Sequence, residues 1–222
     1  MKKIIIALFC IFLVGCGVEK NLENKKNHSS SSQSKYEFTA DKDLSKFISD
    51  DLLEKVMEGE LGAVSPEICY LNEKYIAILN YNGLLIYDIV AGKFETAIDI
   101  LGLGFKQIQG SEALEVRGNE EYLLLSVIGK NAGYVYSFEE NALQKSEELN
   151  LIPTKALEFL SEEEAKKIVG DSSIKPGEEQ VVRMDNLVAV FKLNYDEIKK
   201  STISIFDKEN KKIKEFGLDS RA

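Results

Sequence analysis

The sequence predicts a mainly β domain: blade-like antiparallel sheets, arranged as a partial propeller or a sandwich, with a short N-terminal helix and one inserted helix. Three observations carry this expectation. Short apolar runs alternate with turns containing Gly or Asn, the pattern of antiparallel hairpins. A triplet of apolar, aromatic and small polar residues recurs before a turn, as Ile86-Tyr87-Asp88, Val135-Tyr136-Ser137 and Ile205-Phe206-Asp207. Helical spacing of apolar residues is confined to two stretches, near residues 41–58 and 161–169.

The chain opens with Lys2 and Lys3, an apolar run from Ile4 to Val14, then Gly15 and Cys16. Charged, apolar and small-residue regions in that order follow the export pattern. The apolar run is too short for a spanning helix, which needs roughly 20 residues. The segment resembles the signal peptide of a bacterial lipoprotein, with Leu13-Val14-Gly15-Cys16 as its lipobox. The resemblance implies cleavage between Gly15 and Cys16 and a diacylglyceryl group on the Cys16 thiol. Further acylation of the freed amino group, for example with palmitate, would follow. Each buried methylene adds about 0.8 kcal/mol, so two or three chains anchor stably where one does not. The expected location is therefore the extracytoplasmic face of a cell membrane, with the bilayer as first partner.

The domain organisation follows from this start. Residues 1–15 are the signal peptide, and 16–35 the lipidated cysteine with a flexible tether. Residues 36–222 are one mainly β domain. The tether is rich in Asn, Lys and Ser, with the run Ser29-Ser30-Ser31-Ser32, and has no apolar period. Its coil dimension is roughly 25 Å, a leash that stands the domain off the membrane.

The first helix is expected over 41–58, where Leu44, Phe47, Ile48, Leu52 and Val56 share a face. Thr39 or Asp41 would cap its start, and Gly59 lies past its end. Strands begin near Glu67. Tyr75 to Leu79, the turn Asn80 to Gly83, Leu84 to Val90, the turn Ala91 to Lys93, and Phe94 to Ile98 read as a meander. Tyr122 to Val127 with Gly133 to Phe138 repeats it, as does Leu187 to Phe191 with Ser201 to Asp207. The first two triplets lie 49 residues apart and the next two 70. The longer gap holds the second helix: Ser161 and Glu164 form a capping box, Ala165, Ile168 and Val169 an inner face, and Gly170 a stop.

Repeats of 40–50 residues with several strands each mark propeller blades. Residues 67–217 resemble blades of WD40-like propellers, with Tyr87-Asp88 where that family has Trp-Asp. The family's Gly-His element is absent, and three units are fewer than a closed propeller's usual four or more. The resemblance thus implies an open array, a sandwich, or a partial propeller completed by another chain. The Lys-rich hairpin from Lys208 to Lys214 is placed to blunt a sheet edge.

Composition narrows the function. The chain carries −9 overall; without Lys2 and Lys3 it carries −11, and the tether holds +2, leaving −13 on the domain. An acidic body is repelled by nucleic acid, so no nucleic-acid partner is expected. The single histidine, His28, lies in the tether, which excludes a histidine base within the domain. Cys69 is the only cysteine beyond Cys16, so neither an internal disulfide nor a Cys/His zinc site is available. It sits in the apolar run Ile68-Cys69-Tyr70-Leu71 and reads as a small buried hydrophobe. Gly102-Leu103-Gly104 lacks the spacing of a nucleotide loop and reads as a bend. Glu162-Glu163-Glu164 reads as favourable charge in a first helical turn, and Asp50-Asp51 as solvated.

No catalytic residue, metal ligand or cofactor emerges from the sequence. The function expected is a membrane-anchored, non-catalytic binding or interaction module of the cell envelope, with an envelope protein as second partner. Tyr81 and Tyr134 are its candidate contact aromatics. The alternatives are a structural subunit of an envelope complex, and a carboxylate-dependent hydrolase acting on envelope polymers. The site residues are Gly15 and Cys16 for cleavage, and Cys16 for lipid attachment.

Overall fold

The alternation of apolar runs and tight turns folds into three antiparallel sheets, seen in a computed structural model. The structure describes residues 36–49, 51–53, 66–80, 83–106, 113–169, 179–194 and 200–218. The expected signal peptide and tether, with Cys16, and Tyr81, Gly59 and Gly170 lie outside the described residues.

The first sheet is a meander of β2 (Glu67–Leu71), β3 (Tyr75–Asn80), β4 (Gly83–Asp88) and β5 (Lys93–Ile98). A two-residue strand, β1 (Ile48–Ser49), adds to the outer edge of β5. The second sheet runs β6 (Leu114–Gly118), β7 (Tyr122–Val127), β8 (Gly133–Ser137) and β9 (Ala142–Ser146). The third runs β11 (Glu179–Met184), β12 (Leu187–Lys192), β13 (Thr202–Phe206) and β14 (Lys212–Gly217), with the short β10 (Glu158–Phe159) on the β11 edge. An α-helix, α1 (Glu162–Val169), lies between β10 and β11.

The recurring triplets close the third strand of each meander, β4, β8 and β13. Each small polar residue then holds the following turn. Asp88 Oδ1 accepts from Ala91 N at 2.6 Å, Ser137 Oγ from Glu140 N at 3.2 Å, and Asp207 Oδ1 from Glu209 N at 2.9 Å. Each turn ends in a left-handed residue: Gly92 at φ 76°, Asn141 at 45° and Asn210 at 60°. Gly and Asn are the residues that tolerate this region.

The sheets stack with the first in the middle. Every residue of β3 and β4 is buried, as expected of strands covered on both faces. On one side Tyr75 stacks on Phe138, just past β8 of the second sheet, with ring centroids 4.4 Å apart. On the other, Tyr87 stacks on Phe216 of the third at 3.6 Å. The outer face of the second sheet, Tyr122, Leu124 and Val135, is covered by Leu149 and Ile152 and by Tyr36 and Phe38. The outer face of the third, Val181, Val188, Val190 and Phe206, is covered by Ala165 of α1. Among the described residues the array is open, and non-sheet segments cover both end faces.

The expected helix over 41–58 is interrupted: its described residues are a 3₁₀ turn, a two-residue strand and a further helical start. Asp41 does cap it, accepting from Asp43 N at 3.0 Å. Residues Lys42–Phe47 then form a 3₁₀ helix, and Ile48 and Ser49 turn into β1. Their pairing with Ile98 and Ala97 offers ladder hydrogen bonds that a continued helix would forgo. Leu44, Phe47, Ile48 and Leu52 still pack on the core. Residues 51–53 are again helical, and Val56 lies outside the described residues.

The inserted helix forms as expected. Ser161 Oγ and Glu164 Oε2 bond at 2.7 Å, and the two backbone arms of the capping box measure 3.2 and 3.4 Å. Gly102-Leu103-Gly104 is a bend between the first two sheets. Asp99 Oδ1 accepts from Gly102 N at 2.7 Å, and Gly104 is left-handed at φ 93°.

Candidate functional site

In each four-stranded meander the first and second strands (β2–β3, β6–β7, β11–β12) are joined by a turn, and the three turns line one cleft. After β2, Asn72 Oδ1 accepts from Lys74 N at 2.8 Å and Tyr75 N at 2.6 Å. After β6, Asn119 Oδ1 accepts from Glu121 N and Tyr122 N, both at 2.9 Å. These are the same Asx-held turn, written as Asn72-Glu73-Lys74-Tyr75 and Asn119-Glu120-Glu121-Tyr122. The third turn, Asp185-Asn186, is tighter, with Met184 pairing Leu187. Asp185 takes a left-handed φ of 52°.

Two side chains tie the turns together. Tyr70 of β2 donates its hydroxyl to Asn119 O, and receives a bond from Asn72 Nδ2 at 2.9 Å. Burial holds the Tyr70 phenol protonated well above its usual range, so it remains a donor throughout the physiological range. Lys155 then joins the second turn to the third. Its ammonium contacts Glu120 and lies 2.6 Å from Asp185. Asp185, and then Glu120, raise the lysine above its ordinary value. Lys155 in turn holds Glu120 below the ordinary carboxylate range.

The resulting cleft has a volume of about 600 Å³. Asn72, Glu73, Glu120, Lys155, Asp185 and Asn186 give it a polar mouth, while Met184 and Leu187 supply apolar surface. Lys74 also lines the cleft, its ammonium over the Tyr75 ring at 4.6 Å. Chemically the cleft offers fixed carboxylates, amides and one shared ammonium on a rigid frame, an arrangement suited to recognising polar groups.

A second cavity, of about 400 Å³, lies between β2, β6 and residues 154–159. Ile68, Leu79, Leu114, Val116 and Leu157 line it, with Cys69, Glu67 and Arg117. Cys69 is half-buried rather than fully so, and its thiol donates to Ala77 O at 3.4 Å. Burial drives the Cys69 thiol far above its usual range, which makes it a poor nucleophile. Burial also pushes the Glu67 carboxyl up.

Among the described residues, those singled out in the sequence do not line this cleft. Gly15, Cys16 and Tyr81 lie outside the described residues. Tyr134 is half-buried, donates to Leu103 O at 3.1 Å and meets Phe105 edge-on, so its aromatic face and hydroxyl serve packing. Within the Glu162-Glu163-Glu164 run, Glu162 pairs with Lys166 at 2.8 Å and Glu164 completes the cap. Asn72, Asn119, Lys155 and Asp185 were not legible as site residues. The repeated Asn-Glu-x-Tyr was the available cue for the first two; Lys155 stands in no local motif.

No protein-family model and no curated protein matches this chain. Among solved structures it is similar to Kluyveromyces lactis Hsv2 with its loop 6CD complete. The match has 10% identity over 65% of this chain and 42% of that one, with a TM-score of 0.24. The chain thus spans less than half the length of that protein, and a likeness this slight carries no argument about function.

Proposed function

We propose that this protein is a membrane-anchored, extracytoplasmic lipoprotein acting as a non-catalytic binding module of the cell envelope. In this reading the Cys16 lipid holds it to the bilayer, and the cleft of three turns is its recognition surface. The observation that carries the reading is the convergence. Turns from three separate sheets line one cavity and are cross-tied by Tyr70 and Lys155. Loops held on a rigid scaffold are where recognition concentrates. Both Glu120 and Asp185 spend their charge on Lys155, which weighs against a free carboxylate pair for hydrolysis. The structural-subunit alternative draws on β14, the terminal strand of its sheet. Its Lys212, Lys214 and Glu215 and its bulge against β13 are edge-protecting features, so the cleft is favoured.

Two experiments test the two halves of the reading. Replacing Cys16 with Ala should move the protein from the membrane fraction to the soluble extracytoplasmic fraction; continued membrane retention would count against the lipid tether. Affinity capture from the native envelope should recover a partner with the intact protein and lose it with Glu73→Lys. Equal recovery by both would remove the cleft as the recognition surface.

A further inference from the structure

The second cavity arises where one segment changes sheets. Lys155 N donates to Gly118 O at 2.8 Å, an isolated bridge on the β6 edge. By Glu158 the chain pairs with Arg183 of β11 instead. Leu114 to Arg117 are therefore left with an open edge among the described residues. The cavity of about 400 Å³ lies along that edge. Small-molecule sites hold about 300–1,000 Å³ and are mostly apolar with a few placed polar groups. The alternation of β6 gives the cavity two kinds of wall. Leu114 and Val116 pair with Val127 and Leu125, and join Ile68, Leu79 and Leu157 as apolar surface. Glu115 and Arg117 pair with Ser126 and Leu124 and point to the other face. The Arg117 side chain is 33% exposed, and its Nε lies 3.6 Å from Glu115 Oε2, too long for a hydrogen bond. That Nε is buried without an acceptor, and the terminal nitrogens also have none among the described residues. A guanidinium so placed lacks the planar acceptor its fork is shaped to hold.

We propose that this cavity is a second binding site, taking a small amphipathic anion: a carboxylate on an apolar chain. The carboxylate meets the terminal nitrogens of Arg117 in a two-bond fork. The chain lies across the β6 edge, against Val116, Ile68 and Leu79. Glu115 competes for the same guanidinium and limits the affinity. Glu67 is the other carboxyl at the cavity, and burial shifts it toward its neutral form, which lessens its repulsion of an anion. Lys155 and Met184 border both spaces, but Arg117 lines the cavity and not the cleft. The site thus goes beyond the recognition reading of the cleft, and either can fail alone.

Isothermal titration of octanoate into the full-length protein in lipid nanodiscs tests the site, with the heat of empty nanodiscs subtracted. Saturable binding of a single octanoate per chain is expected. Hexanoate buries two fewer methylenes and should bind roughly ten-fold more weakly. Octyltrimethylammonium, with the same chain and the opposite charge, should not saturate. Arg117→Met should weaken octanoate roughly ten-fold. Glu115→Gln removes the competing carboxylate and should tighten it about three-fold. Thermal melting checks that both variants stay folded. If Arg117→Met does not fold, the comparison of octanoate with the ammonium probe needs no variant. Absence of saturable octanoate binding would overturn the proposal. So would equal binding of the ammonium probe, or an octanoate affinity indifferent to Arg117→Met.

Discussion

Asn119 does four things at once in the second turn. Its Oδ1 accepts two backbone bonds, its Nδ2 holds Pro153, and its carbonyl receives Tyr70. Asn119→Ala removes the three side-chain bonds and should cost about 2 kcal/mol in urea unfolding. Asn119→Asp keeps the turn acceptors and loses only the bond to Pro153, so its cost should be smaller. Charge at this scale also fixes an acid response. Lys155 depresses Glu120, Ser161 depresses Glu164, and Lys212 depresses Glu215, each below the ordinary value of 4.5. A carboxyl more acidic in the folded state adds stability above that ordinary value, and loses it as pH falls through the folded value. Glu67 is raised by burial and has the opposite sign: its contribution is present at low pH and lost as pH rises. Among the described residues three carboxyls are depressed and one raised, so the melting temperature should fall on acidification below about pH 4.5, and Glu120→Gln should flatten that fall. Of these residues, only the Ser161–Glu164 box was legible beforehand, because Ser and Glu at that spacing ahead of an apolar helical face form a capping-box motif. Lys155 and Asp185 are 30 residues apart, and only the fold brings them together.

Strands that are buried on both faces announce themselves in the sequence, and half-buried ones do not. The runs of β3, β4, β7 and β12 are almost continuously apolar and buried. By contrast β6 carries Glu115 and Arg117, and β9 carries Gln144 and Lys145. Such strands blend into the turns around them. The 41–58 stretch breaks at Ile48 and Ser49 for a related reason: its apolar spacing serves packing on the core, while the edge of β5 recruits those two residues. Tertiary pairing overrides local preference. Joints between elements yield their own predictions. Phe216→Ala removes the ring stacked on Tyr87 and edge-on to Phe94, and should cost about 3 kcal/mol. At Gly118 an added Cβ would lie 2.6 Å from the Tyr70 ring and 2.9 Å from Leu123. Gly118→Ala should therefore destabilise by about 1–3 kcal/mol through overpacking, read as a lower urea midpoint.

Among the described residues, the domain is an open stack in which β3 and β4 of the middle sheet are buried on both faces and the outer faces are closed by other segments. The blade-like texture was legible because the triplets and turns recur; the order of the sheets was not, since it depends on which aromatic meets which neighbour. Tyr75 lies against Phe138, Tyr87 against Phe216, and Phe206 beside Ala165 of α1. Residues 36–49 cover the second sheet through Tyr36 and Phe38 and then pair with β5. Their removal should expose apolar surface and lower the urea midpoint. At this scale the central claim is that the three turns present one recognition surface. Site-specific photo-crosslinking in intact envelopes tests it most directly, with the crosslinker at Asn186 in the cleft and, for comparison, at exposed Lys145 on β9. The account predicts a discrete adduct from Asn186 and none from Lys145; equal adducts from both positions, or an adduct from Lys145 alone, would contradict it.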